Sequence, residues 1–331
     1  MTVERRRVLA GLAGVPLSSW AAAAPPPAPA AAPAAKPLAR IEAVPFATQT
    51  VSDADFLSGA AGQDVTIAGV LRLPRTDAGR LPTVVLLHGS GGPIAYVDAW
   101  AQRLHEIGWA TFTVDSFSGR GLASVRDDQA ALGRLAGVLD AYRALERLST
   151  HPLLQPSRIV LMGFSRGGQG ALYAAMQRFQ RQYLNGEARF AAHIAFYPNC
   201  CTRYLQDEAV TAPIRIYQGE ADDFNPIDAT RAYVQRLQAA GRDVQLTAYP
   251  DAHHVFDWEG FATPLKAPKA QTMRHCRVVE RTPGVLLEEG SGRPFTYADP
   301  CVEQGTTVAY QPQAAQAAIR SVTDWLQSGV V

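Results

Sequence analysis

The sequence has no surplus of either charge: 31 lysines and arginines face 30 aspartates and glutamates, a formal net charge of +1 over 331 residues. It also lacks any long basic run with interleaved aromatics, so the footprint of a nucleic-acid surface is missing. Cysteine is scarce, with only Cys200, Cys201, Cys276 and Cys301. No spaced set of ligands completes a metal site, and the adjacent His253 and His254 rarely suit one ion together. "GSGG", Gly89 to Gly92, is not followed by a Lys-Ser/Thr pair and is therefore not a phosphate loop. No metal and no cofactor are expected. The first apolar stretch, Val8 to Trp20, is broken by Gly11, Gly14 and Pro16 and is too short for a comfortable membrane span. No stable membrane insertion is expected once this segment has been removed, and no internal repeat is present to suggest an array.

What that first stretch does offer is the layout of an export signal. "ERRRVLAGLAGVPLSSWAAAAPPP" has a basic start, a modest apolar middle and small residues at its end. Arg5 and Arg6, followed by Arg7, Val8 and Leu9, resemble a twin-arginine consensus. Residues 1–24 are read as the signal, with cleavage among Ala21 to Ala24, and residues 25–36 as a Pro/Ala-rich linker. Residues 37–331 are left as a single domain in a periplasmic or secreted protein. Such a compartment permits disulfides. Cys276 and Cys301 bracket a stretch rich in turn residues and are the expected pair; Cys200 and Cys201 are adjacent, and pairing between the two groups stays open.

The domain alternates strands and helices. "DVTIAGVLRLP" (Asp64 to Pro74) reads as a strand with one wet face, and "TVVLLH" (Thr83 to His88) as a strand buried on both sides. "DAWAQRLHEIG" reads as a helix, "WATFTV" as a strand, and Asp127 to Leu148 as a long amphipathic helix with Leu132, Leu135, Leu139, Tyr142 and Leu145 on one face. "RIVLMG", "AAHIAFYP", "PIRIYQG" and "DVQLTAYP" are further strands. Helices are expected at about 167–177, 227–240 and 313–326. Buried strands alternating with helices imply a mostly parallel sheet covered on both faces.

Within this frame Gly163, Phe164, Ser165, Arg166 and Gly167 spell Gly-x-Ser-x-Gly between a strand and a helix. The glycines make room for a sharp turn that exposes the serine at a helix N-terminus. A serine is a weak nucleophile by itself, so this reading requires a histidine base and an orienting carboxylate, in the chain order Ser, acid, His. Glu220, Asp222 and Asp223 follow one predicted strand; His253 and His254 follow the last. Arg120 and Asp115 from "DSFSGRG", and Arg166 from "GFSRGG", are substrate-pocket candidates because their motifs end strands, with an internal ion pair as the alternative. His193 lies in an apolar run and reads as a hydrogen-bonded core histidine. The stretch 261–305 is long for a connection and reads as an extended flap bordering the site.

"LLHGSGG", "DSFSGRG", "GFSRGG", "FYPNC", "YQGEADDFNP" and "YPDAHHVFDW" follow one another as in the dienelactone hydrolase-like family, which the chain resembles from about Leu81 onward. The resemblance implies an α/β-hydrolase fold, selects Asp222 through "GEAD" and selects His254 through "HVF". The dienelactone hydrolases that name the family use cysteine as nucleophile. Ser165 in its place points to a serine esterase acting on a small-molecule ester through an acyl-enzyme. The backbone N–H of Arg166, with that of Ser90 or Gly91, would hold the oxyanion. A serine peptidase of related fold and a non-catalytic periplasmic binding protein are the alternatives. The oligomeric state is not legible.

Overall fold

The computed structural model describes residues 38–76 and 79–329. The expected signal (1–24) and linker (25–36) lie outside the described residues. Ala35–Val331 forms one unit. In chain order its elements are β1 (Leu38–Thr50), α1 (Asp53–Ser58), β2 (Gln63–Pro74), β3 (Leu81–Leu87), α2 (Ala95–Glu106), β4 (Ala110–Asp115), α3 (Ala136–Ser149) and β5 (Leu154–Phe164). Then come α4 (Arg166–Tyr173), α5 (Gln177–Tyr183), β6 (Ala192–Phe196), β7 (Thr202–Arg203), β8 (Ile214–Gly219), α6 (Ile227–Ala239) and β9 (Val244–Tyr249). β10 (Leu265–Thr272), β11 (Val278–Thr282), β12 (Val285–Glu288), β13 (Glu303–Val308) and α7 (Pro312–Gln327) complete the chain.

Eight strands form the central sheet in the order β1-β2-β4-β3-β5-β6-β8-β9. β1 and β2 run antiparallel, β2 meets β4 antiparallel, and all later pairs are parallel. This is the mostly parallel α/β-hydrolase sheet that the alternation of buried runs implies. Successive residues of β3 point to opposite faces. Val84 and Leu86 belong to the core that α2 and α7 cover, whereas Val85 and Leu87 belong to the core that α3, α4 and α6 cover. Because both faces are covered, the strands can be apolar throughout, and their carboxyl ends are left as the open edge. His193 of β6 is fully buried, with Nδ1 2.8 Å from the Ala171 carbonyl.

β1 is an element that the sequence reading did not mark. It contains Pro45, which a central strand would not tolerate, but β1 is at the sheet edge and buries only Val44, Phe46 and Thr48 on its inner side. α3 starts at Ala136 and not at Asp127. The residues before it are held by other elements: Asp53 Oδ1 accepts from the Leu135 N–H (2.9 Å), and Arg134 Nε donates to Asp53 Oδ2 (2.8 Å). The helix expected at 167–177 is α4, which ends at Tyr173, and a further helix, α5, begins at Gln177. The Ala174 carbonyl between them accepts from the Tyr142 hydroxyl (2.9 Å) and Gln180 Nε2 (3.0 Å).

The flap is built of strands. β10 pairs with β13, and the β11–β12 hairpin extends β7 into a three-stranded sheet. Cys276 and Cys301 form a disulfide, around which Met273, Val278, Leu286, Phe295 and Tyr297 pack. Cys200 and Cys201 are free thiols; burial raises their pKa values to about 12 and about 11, which suppresses the reactive thiolate.

Candidate active site

Ser165 sits between the last residue of β5 and the first of α4, with φ 54° and ψ −115°. That left-handed backbone is costly for a residue with a side chain, and its neighbours over-determine it. The Ser165 N–H donates to the Phe196 carbonyl (2.9 Å), and its own carbonyl accepts from the Gln169 N–H (2.8 Å). A Cβ at Gly163 would lie 2.0 Å from the Gly167 carbonyl oxygen, and one at Gly167 would lie 2.2 Å from that of Leu87. Strand, turn and helix can therefore come this close only if both positions are glycine.

Two loops at the same sheet edge meet this serine. His254, beyond β9, places Nε2 2.9 Å from Ser165 Oγ and Nδ1 2.8 Å from Asp222 Oδ2. Asp222, beyond β8, accepts on Oδ1 from the N–H groups of Phe224 (2.9 Å) and Asn225 (2.8 Å). All three residues are buried. Two rings pack on the imidazole: Phe224 stacks on it at 4.7 Å between ring centres and 18° between planes, and Tyr197 lies against it, tilted, at 4.6 Å.

The other carboxylates of the acid loop are committed elsewhere. Asp223 accepts from the backbone N–H (2.7 Å) and hydroxyl (2.9 Å) of Thr307. Glu220 pairs with Arg231 on the surface. Ser90 and Gly91 border the same cavity as Ser165 and His254. Arg166 opens α4, so its N–H is among those a helix leaves without an internal carbonyl partner.

A family profile described as "Dienelactone hydrolase family" matches residues 67–329, most of the chain. The chain belongs to the dienelactone hydrolase family. It is accordingly a hydrolase of the α/β-hydrolase fold. Solved structures of similar fold include a dienelactone hydrolase-like promiscuous phosphotriesterase from metagenomic libraries, with 16% identity, a TM-score of 0.56, and coverage of 87% of this chain and 98% of that one. Another, m3DLH, has 19% identity and a TM-score of 0.56, with 86% and 98% covered. No curated protein matches the chain.

In this dienelactone hydrolase family member two cavities adjoin Ser165. The first, about 110 Å³, is mainly apolar and is walled by Ile94, Tyr96, Phe224, Phe261, Leu265 and Val308. The second, about 30 Å³, is bordered mostly by polar side chains, among them Gln129, Arg134, Arg166, Gln169, Asn199 and Gln271. The flap contributes to both, through Leu265 and Val308 in one and Gln271 in the other.

Two candidate pocket residues prove to be elsewhere. Arg120 borders neither cavity; it is buried and makes a two-pronged bond to Asp140, both contacts being 2.8 Å, while also donating to the carbonyls of Ser116 and Gln49. Asp115 accepts from the N–H groups of Phe117 and Ser118, both at 2.9 Å, and shapes the turn. Three arginines border the two cavities: Arg126, paired with Asp127, at the apolar one, and Arg134 and Arg166 at the smaller one. Arg134 is neutralised by Asp53. Arg166 donates only to Gln129 Oε1 (2.8 Å) and to the carbonyls of Gln129 and Leu132. No carboxylate pairs with it among the described residues. Gln169, 2% exposed, has an Nε2 donor with no partner.

Proposed function

We propose that this hydrolase is a serine esterase that cleaves carboxylic esters through an acyl-enzyme. The observation that carries this reading is the continuous hydrogen-bonded series Ser165 Oγ, His254 Nε2, His254 Nδ1 and Asp222 Oδ2 at the wall of a cavity. His254 takes the hydroxyl proton as Oγ bonds to the ester carbonyl carbon and the carbonyl electron pair moves onto oxygen. Asp222 keeps the other imidazole proton on Nδ1 and stabilises the cation. The oxyanion is received by the N–H of Arg166 and by that of Ser90 or Gly91. The imidazolium then protonates the leaving alcohol, and water repeats the sequence on the acyl-enzyme.

The two cavities suggest the character of the ester. One side takes an apolar group of moderate size. The other offers N–H donors and an uncompensated cation, and suits a small oxygen-rich group bearing negative charge. The disulfide supports the export reading, since it belongs to an oxidising compartment.

Labelling with a fluorophosphonate, combined with turnover of a p-nitrophenyl ester and of a peptide anilide, tests the proposal. The expected result is labelling and ester turnover that both vanish in Ser165→Ala. Preferred cleavage of the anilide would make the protein a peptidase, and no Ser165-dependent labelling would make it a binding module.

A further inference from the structure

A second carboxylate is linked to the catalytic histidine through one aromatic ring, and the reaction steps above leave it unused. Asp257 Oδ2 accepts from Trp100 Nε1 at 2.6 Å, and Oδ1 accepts from the Tyr197 hydroxyl at 2.9 Å. Both donors are neutral. No lysine or arginine pairs with Asp257 among the described residues. The groups that face it are Trp100 and Tyr96 from α2, Tyr197 from the end of β6, and His254 from its own loop. Desolvation raises its pKa above the ordinary carboxylate value, and the only cation-forming group acting against that rise is His254. A partly buried carboxylate without a counter-ion is a cost to the folded state.

The Tyr197 ring connects this carboxylate to the catalytic histidine. Its hydroxyl is held by Asp257, its face lies 4.6 Å from the imidazole, and its backbone occupies the left-handed region at φ 38°. The Tyr197 carbonyl accepts from Asn225 Nδ2 (2.8 Å), and the Asn225 N–H donates to Asp222 (2.8 Å). Tyr197 thus joins Asp257, through its hydroxyl, to the Asn225–Asp222 pair, through its carbonyl, with the imidazole packed against its ring.

We propose that Asp257 is a second electrostatic and positioning partner of His254: through Tyr197 it fixes one face of the ring, and its charge favours the imidazolium. This rests on His254 being the base. The imidazolium exists only while the Ser165 proton is in transit, so the uncompensated carboxylate gains its counter-ion in the transition state and not in the resting enzyme. An interaction of that kind raises kcat and leaves substrate binding alone. Asp257 itself takes no proton in the cycle; the proton passes from Ser165 to His254 and on to the leaving alcohol.

The test is Asp257→Asn, with steady-state kinetics on a neutral p-nitrophenyl ester from pH 5 to 9 and thermal unfolding of the same samples. Asparagine can accept from Trp100 and donate to the Tyr197 oxygen, so the hydrogen bonds survive and only the charge is lost. The expected result is a roughly tenfold fall in kcat, equivalent to about one pKa unit of lost charge interaction. KM should stay unchanged, the acidic limb of kcat/KM should move to lower pH, and Tm should be equal or higher. Tyr197→Phe, which keeps the ring and cuts its tether, should lower kcat by a smaller factor. Wild-type kcat and pH profile in Asp257→Asn would overturn the proposal. So would a kcat loss with lowered Tm and an unmoved limb, which would mark a purely structural residue. His254→Gln run alongside separates the two readings: if it keeps full turnover, the assignment of the base has failed, whereas an inactive His254→Gln beside a normal Asp257→Asn overturns the present inference alone.

Discussion

The hydroxyl of Thr272 donates to the carbonyl of Phe224 across 2.6 Å, joining the flap to the loop that carries Asp222. Arg274 donates to the next carbonyl back, that of Asp223, at 2.8 Å. The acid loop is therefore held from outside as well as by its own turn, and the ring that stacks on His254 is fixed by a residue 48 positions later in the chain.

Thr272→Val keeps the shape of the side chain and leaves the buried Phe224 carbonyl without its donor. A loss of about 1 to 3 kcal/mol in stability is expected from the unsatisfied group. Turnover should fall more than KM rises, because Phe224 moves relative to His254. Urea unfolding and steady-state kinetics on one ester check both parts.

Arg166→Met removes the uncompensated cation from the small cavity. The preference for a half-ester of a short dicarboxylic acid over the matching neutral ester should fall by roughly 10- to 100-fold, the strength of a hydrogen bond to a charged group. Gln169→Leu should act in the same direction with a smaller factor. The ratio of the two kcat/KM values is the measurement, and an unchanged ratio would remove the cation from substrate recognition.

Cys276→Ser with Cys301→Ser opens a loop of 25 residues. The chain-entropy account puts the loss at about 3 to 4 kcal/mol. Gln271, Met273 and Tyr297, which the flap presents at the polar cavity, should then be less well held. Thermal unfolding should show the loss of stability, and relative rates across an ester panel should change as well.

Stability should fall on acidification below neutrality. His193 is buried as the neutral ring, and desolvation lowers its pKa from 6.5 to about 4; His105 is lowered to about 4 in the same way. The unfolded chain binds these protons first, so stability present above pH 6.5 is lost as the pH drops toward 4. The urea midpoint measured from pH 7.5 to 4 should follow this course. His193→Asn, which can still donate to the Ala171 carbonyl, should flatten it.

Ser165, the acid loop 220–223 and the pair His253 and His254 were legible because each follows a strand, and the strands of a parallel sheet deliver their carboxyl ends to one edge; the choice of Asp222 and of His254 within those loops came from the family resemblance in "GEAD" and "HVF". Apolar runs and glycine turns are local signals, and they located the strands from β2 to β9 with the exception of two-residue β7. Of the polar cavity only Arg166 was legible. Arg134 and Gln129 lie in a stretch whose spacing reads as helix, but groups from other elements hold it, Asp53 on Arg134 and Leu135 and Gln271 on the Gln129 N–H. Arg120 looked like a pocket residue because its motif ends a strand; its partner Asp140 is on α3, and no local pattern announces that pairing. Asp257 lies three residues past His254, yet its donors Trp100 and Tyr197 come from distant segments.

Asp53 never touches Ser165, yet its carboxylate both sets where α3 begins and cancels the charge of Arg134. A chain that acquired Asn at this position would present two unmatched guanidinium groups to the small cavity in place of one. Selectivity in this protein can therefore drift by changes in α1, and a library built only from residues facing the ester would miss that route.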